Sequence, residues 1–319
     1  MIRAAAARLE GHARLTPLLS SPFLDEIAGR QVWVKPECLQ HTGSFKFRGG
    51  YAAISALEPQ IRARGVIAYS SGNHAQGVAL AAKMHGIEAV IVMPQDTPRL
   101  KIANTRAFGA EVVLYDRENE DRGAIGREIA ETRGLSLIKP FDEPEVIAGQ
   151  GSTGLEIARQ ARALGITQAD VIVCCGGGGL SSGVALALEA EAPGLRVRTA
   201  EPEFYDDTAR SLQSGWIESN ARRGNALCDA IVTPQPGDLT FPILKRLAGA
   251  GLVVSDDEVL QAMGHAFNWL KLVAEPGGAV ALAAALFRAN EIEGDAVIVT
   301  ITGGNVDPGI FARALDRLR

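Results

Sequence analysis

The sequence predicts an α/β protein built as two open α/β domains with mostly parallel sheets. Three observations carry that prediction. Short apolar, β-branched runs recur at 66–69, 89–93, 112–115, 171–175, 197–200, 252–254 and 297–302. Between them lie Ala-rich segments with apolar residues at helical spacing, at 76–85, 155–164 and 280–289. A strand, helix, strand alternation of this kind marks parallel sheets covered on both faces. Finally, 319 residues exceed what one hydrophobic core usually serves.

Taken in order, the N-terminal MIRAAAARLEGHARL contains Arg8, Glu10 and His12, which break any signal-peptide apolar stretch and point to an amphipathic first helix. A compact three-strand α/β unit spans about 65–141. The sequence KPFDEP at 139–144 interrupts the periodicity and marks a boundary, and a second polar, irregular zone runs over 214–237. The second half supplies the larger sheet. Ligands of open α/β sheets bind beyond the carboxyl ends of the strands, so a cleft between the two units is the expected site.

Composition removes several functions. With 37 acidic against 32 basic residues and no basic stripe, the chain has little electrostatic affinity for nucleic acid or anionic lipid. Its longest apolar stretch, 279–287, is well short of the roughly 20 residues that span a bilayer. The four cysteines, Cys38, Cys174, Cys175 and Cys228, lack metal-site spacing, which points to a reducing cytoplasm without structural disulfides. Glycine is abundant, at 35 residues, and without a collagen period this marks tight turns and close backbone approach to a ligand.

Four motifs could carry chemistry. Gly176, Gly177, Gly178, Gly179 and Leu180 follow the strand VIVCC and precede a helical pattern, so that successive amides and a helix N-terminus converge on an anion. The run is neither a P-loop nor a clean GxGxxG, although Glu201 lies about twenty residues on and leaves a dinucleotide site open; a packing turn is the plain alternative. Thr302 with Gly303 and Gly304 ends the last predicted strand and offers one hydroxyl to a flat ligand. Ser70, Ser71, Gly72, Asn73 and His74 run from a strand end into a helix, where small hydroxyls and free amides suit a carboxylate, or merely cap the helix. Lys46 stands between Phe45 and Phe47, where partial desolvation would favour its neutral, nucleophilic form.

In this order the motifs, with TPLLSS, KPECLQHTGSFKFRGG, IAGQGSTGLEI, AEPEFYDD, EPGGAVALAA and ITGGNVD, closely resemble the fold type II pyridoxal phosphate enzymes of the serine/threonine dehydratase and serine racemase family, along nearly the whole chain. The resemblance implies a larger cofactor-binding domain of 1–47 plus 142–319, a smaller domain of 48–141, and a homodimer. It implies that Lys46 holds the cofactor as a Schiff base with Phe45 beside the ring, and that Asn73 bonds the phenolic oxygen. Gly176 to Leu180 would take the phosphate, Thr302 would face the pyridine nitrogen, and Glu275 would lie near the ring. Ser70 to His74 would clamp the substrate carboxylate. Lys46 would move the Cα proton, and Ser71 aligns with the serine that reprotonates Cα from the other face in racemases. Glu201, the Tyr205 carbonyl and Asp207 match a divalent-metal site suited to Mg or Ca.

The implied activity is loss of water and then ammonia from a β-hydroxy amino acid, L-threonine or L-serine first, giving a 2-oxo acid. Serine racemisation, and dehydration of 3-hydroxyaspartate or an aryl-serine, are the alternatives. The segment from LCDA at 227–230 to PGDLTF at 236–241 departs from the usual dehydratase sequence on the substrate side. A β-replacement synthase and a catalytically silent cofactor-binding protein fit less well. The chain stops fifteen residues after Gly304, so a C-terminal regulatory domain is not expected.

Overall fold

The structure is a computed structural model that describes residues 1–97, 99–116, 118–221 and 226–318. Its strands, in chain order, are β1 (Leu19–Ser20), β2 (Gln31–Pro36), β3 (Val66–Tyr69), β4 (Ala89–Pro94), β5 (Glu111–Tyr115), β6 (Ser136–Leu137), β7 (Ala169–Cys174), β8 (Leu195–Pro202), β9 (Leu252–Val254) and β10 (Ala296–Ile301). They form a six-stranded sheet, β1-β2-β10-β7-β8-β9, and a four-stranded sheet, β5-β4-β3-β6. Among the described strands every ladder is parallel except β1 with β2. The larger sheet draws its strands from 1–47 and 142–319, the smaller from 48–141.

Each of the seven apolar runs forms a strand. β4, β7 and β10 are buried along their whole length, as parallel strands covered on both faces are. Three strands are additional. β1 and β6 have two residues each, too few to carry a period. β2 is hidden by Lys35, a fully buried lysine in QVWVKP. Its ammonium is satisfied by the Thr16 carbonyl at 2.7 Å, Glu156 Oε2 at 2.6 Å and Gln160 Oε1 at 3.1 Å.

The helices sharpen the same reading. The first covers Ile2–Leu9 and buries Ala5 and Leu9. The segment 155–164 belongs to a 20-residue helix, Pro144–Ala163, whose first half is disguised by Gly149, Gly151 and Gly154. Those glycines let neighbouring helices approach closely: a Cβ at Gly149 would lie 2.5 Å from Ala52 Cβ, and one at Gly154 2.8 Å from Ala187 Cβ. The Ala-rich segment at 280–289 lies mostly within the helix Pro276–Phe287, buried from Pro276 to Leu286; apolar residues all round fit a helix with no solvent face. It starts earlier than the pattern suggests because Pro276 sits in its first turn.

The polar zone 214–237 is irregular, lying between the helices Asp207–Ser214 and Thr240–Leu247; its residues 222–225 fall outside the described ones. All four cysteines are free thiols. Among the described residues no helix is long and apolar enough to cross a membrane.

Candidate active site

A cavity of about 360 Å³ gathers the segments that follow β3, β7 and β10, at the carboxyl ends of parallel strands from both sheets. Phe45, Lys46, Ser70 to His74, Gly176 to Leu180, Glu275 and Thr302 all line it. The four motifs, far apart in sequence, therefore share one space.

The tetraglycine run connects β7 to the helix Gly179–Glu191. Gly178 adopts φ +87°, a left-handed conformation that side-chain-bearing residues rarely take. At Gly177 a Cβ would stand 2.3 Å from the Phe141 ring. The loop is thus pressed against Phe141, with the helix start beside the cavity, a geometry that binds phosphate through amides and the helix dipole.

Thr302 is 4% exposed. Its carbonyl accepts from Phe45 N–H at 3.1 Å, and Ser44 bridges to Gly303. The end of β10 therefore fixes the residues just before Lys46, the first residue of the helix Lys46–Ala56. Lys46 Nζ lies 5.0 Å from the centroid of the Phe45 ring and donates to the Pro140 carbonyl at 2.7 Å. Burial lowers its pKa to about 8, so a useful fraction is the neutral amine near neutral pH.

Asn73 opens the helix Asn73–Met84. One amide hydrogen goes to Glu275 Oε1 at 2.5 Å, and its oxygen accepts from Asn305 at 2.7 Å. The second amide hydrogen remains for a ligand. Glu275 is buried, and that burial raises its carboxyl to about 7.

His74 bonds through Nε2 to the Ile138 carbonyl at 2.9 Å. Since a carbonyl only accepts, Nε2 carries the proton and Nδ1, buried without a partner, is an acceptor. Burial and then the charge of Lys46 push the ring down to about 3. A neutral acceptor does not bond a carboxylate, so within the Ser70 to His74 loop His74 can offer only its backbone N–H. Ser70, Ser71 and Gly72 line the cavity beside it.

Glu201 is fully buried, and its two oxygens accept from Thr208 N at 2.9 Å and Ala209 N at 2.7 Å, which ties it to the first turn of the helix Asp207–Ser214. Burial, then Asp207, raises its pKa well above the usual carboxylate range. Asp207 Oδ1 accepts from Asn220, while buried Oδ2 has no partner, and burial raises this carboxyl to about 7. Among the described residues no group of three His, Cys, Asp or Glu side chains is arranged to hold a metal. Any ion here would rest on two carboxylates and the Tyr205 carbonyl.

The structure adds residues that sequence reasoning does not single out. Pro140, Phe141, Gln150, Lys101 and Arg122 also line the cavity. Pro140 and Phe141 lie in the KPFDEP break, whose position between periodic segments is the only signal they give. Behind Lys46, on the same helix, buried Arg48 makes a two-pronged pair with Glu37 at 2.7 and 2.9 Å and bonds Glu156 at 2.7 Å. Together with Lys35 this is a neutral set of two cations and two anions. It braces the first turn of the lysine helix against β2 and the helix Pro144–Ala163.

A lysine of lowered pKa facing an anion cradle, with a buried hydroxyl at a strand end, is a donor set that fits a phosphorylated aldehyde bearing a flat ring. Residues 9–304 match the family described as "Pyridoxal-phosphate dependent enzyme". The chain belongs to this family. Among relatives of this pyridoxal-phosphate enzyme, the L-threo-3-hydroxyaspartate ammonia-lyase of Pseudomonas sp is 43% identical, over 98% of this chain and 96% of its own. A serine racemase of Oryza sativa subsp. indica is 38% identical over 98% and 92%. The crystal structure of a threonine deaminase from T.th. superposes with a TM-score of 0.90 at 42% identity, covering 96% of this chain and 97% of that one.

Proposed function

We propose that this pyridoxal-phosphate enzyme is an ammonia-lyase of β-hydroxy amino acids, with L-threonine and L-serine as reference substrates, yielding a 2-oxo acid and ammonia. The observation that carries the reading is Lys46, held near pKa 8 between the tetraglycine loop and the Ser70 to Asn73 loop in one cavity. The cofactor, when bound, supplies an electron sink for the carbanion formed at Cα.

The chain's own residues do the rest. The amides of Gly176 to Leu180 hold the phosphate end, and Thr302 offers a neutral hydroxyl to the ring. Asn73, oriented by Glu275 and Asn305, gives its remaining N–H to the phenolic oxygen. Ser70, Ser71 and the N–H groups at the start of the Asn73–Met84 helix bind the substrate carboxylate. Lys46, as a neutral amine, takes the Cα proton at Nζ. Ser71, which lines the same cavity, is assigned the return of a proton from the other face, which keeps serine racemisation as a side activity to be measured. An ammonia-release screen over hydroxy amino acids, with stereoisomers kept separate and D-serine quantified beside pyruvate, tests the reading. Dominant D-serine formation, or no ammonia from any of them, would falsify it.

One observation favours a second reading within that class, L-threo-3-hydroxyaspartate. Arg122 lines the cavity and makes no hydrogen bond or ion pair among the described residues. Lys101, also lining it, is only 3.5 Å from the exposed Asp229. Serine and threonine have no second anion to meet these cations, whereas a β-carboxylate would. The 43% identity to the Pseudomonas enzyme named for that substrate supports the same choice.

The two sheets, split at about 47/48 and 141/142, are read as the large and small domains. The buried carboxylates Glu201 and Asp207 would hold Mg or Ca with the Tyr205 carbonyl, because a cation offsets the burial that raises both pKa values and the Asp207 charge that adds to it at Glu201. A homodimer in the cytoplasm is the expected assembly and location; light scattering and fractionation test them.

A further inference from the structure

Gln150 is a residue in the cavity wall whose side-chain amide is left over at both ends. It is 1% exposed, and neither its amide nitrogen nor its amide oxygen has a hydrogen-bond partner. A buried amide left unpaired costs about 1–3 kcal/mol for each group, and such a group in a native fold calls for an explanation. The explanation lies in what surrounds it. Gln150 projects from the helix Pro144–Ala163 into the gap between the lysine helix and the glycine loop. A Cβ at Gly49, one turn beyond Lys46, would come 2.9 Å from Gln150 Nε2. A Cβ at Gly179, the first residue of the phosphate-facing helix, would come 2.8 Å from Gln150 Oε1. Both flanking elements thus carry glycine where any side chain would press on this amide.

We infer that Gln150 is a side-chain ligand of the phosphate end of the cofactor, completing from the helix Pro144–Ala163 the shell that the loop amides form from the other side. The inference rests on the cofactor assignment above. Its position against Gly179, rather than against the Ser70 to Asn73 loop, selects the phosphate over the substrate carboxylate. Because neither end of the amide is tied, a half-turn about its last side-chain bond presents the NH₂ group to the loop without breaking a hydrogen bond. Lys46 does not satisfy it: Nζ donates to the Pro140 carbonyl and makes no hydrogen bond to Gln150. The unloaded protein therefore carries two unpaired polar atoms, of which binding of phosphate relieves the donor, the amide nitrogen.

The test compares the apoprotein and its Gln150→Met and Gln150→Glu variants, titrated with pyridoxal phosphate and with pyridoxal, which lacks the phosphate, and melted without ligand. Loss of one hydrogen bond to a charged phosphate predicts about a 10- to 100-fold weaker pyridoxal phosphate affinity in Gln150→Met. Pyridoxal affinity should stay within about twofold, and the unliganded Tm should hold or rise because two unpaired polar atoms are gone. Gln150→Glu should lose more affinity, and regain it at acid pH as the introduced carboxyl protonates. Unchanged pyridoxal phosphate affinity in Gln150→Met, or an equal loss for both ligands with a lowered unliganded Tm, overturns the inference and leaves Gln150 a packing residue. A wild-type protein that takes up neither ligand overturns the cofactor reading as well, and so separates the two failures.

Discussion

The two walls of the cleft are built on different principles. The wall from the six-stranded sheet, with the glycine loop and Thr302, is tightly packed: Gly177 is pressed by Phe141, and Thr302 is hydrogen-bonded on both sides of its peptide. The wall from the four-stranded sheet is looser. Ser70 to Asn73 are half-buried, Arg122 is exposed, and Lys101 makes only a long ion pair. Backbone amides held rigidly suit a group that is always the same, whereas partly free side chains suit a ligand that has to enter, be selected and leave. The comparison teaches where to expect affinity and where to expect choice.

The largest effect should come from the residue between the walls. Lys46→Ala removes the proposed nucleophile and base together, and should lower kcat by at least about 10³-fold and abolish the absorbance of the lysine-bound cofactor. Retained turnover would refute the role given to Lys46. On the tight wall, Gly177→Val places two methyl groups where a Cβ alone already meets Phe141 at 2.3 Å. Overpacking of about 1–3 kcal/mol should weaken pyridoxal phosphate binding by roughly 10- to 100-fold, measured on the apoprotein. A Phe141→Ala partner should restore part of it; no rescue would mean that the loop is not held by that contact.

How much of this was legible in the sequence follows the same division. The tight wall could be read because its demands are covalent and local: a run of glycines after VIVCC has few other uses. Lys46 between two phenylalanines announced its desolvation in the same way. The buried braces could not be read, because Lys35 and Arg48 look like solvated charges until Glu37 and Glu156, distant in sequence, arrive beside them. Gln150 and Arg122 were hidden for the same reason, as one amide in a glycine-rich helix and one of several surface arginines. The length of the helix Pro144–Ala163 was obscured because its glycines serve helix contacts rather than breaks.

On the loose wall, Arg122→Gln should separate substrates. If the guanidinium meets a second carboxylate, kcat/KM for L-threo-3-hydroxyaspartate should fall about 10- to 100-fold while that for L-serine moves by less than about threefold. Equal losses for both would make Arg122 part of closure rather than selection. Affinity for the cofactor should not change, which is the contrast with Gly177→Val.

The smallest effect lies behind the tight wall, where folded pKa values are raised rather than lowered. Asp207 is pushed to about 7 from 3.8, and Glu201 upward from 4.5. A carboxyl raised on folding binds more protons in the native state than in the unfolded one, so stability falls as pH rises from the unfolded value toward the folded one and then levels off. Glu275, raised to about 7, has the same sign. The unliganded Tm should therefore decline between about pH 5 and pH 7. Mg should raise Tm by a few degrees at pH 7.5 and almost none at pH 5, because Asp207, raised to about 7, attracts it only when ionised. Asp207→Asn should flatten the slope and remove the response to Mg, leaving the shares owed to Glu275 and to Glu201, whose burial remains. A pH slope untouched by Asp207→Asn, or a Tm that ignores Mg and chelator, would reduce the pair to a cap on the helix Asp207–Ser214, with Glu201 accepting its first N–H groups as the geometry already has it.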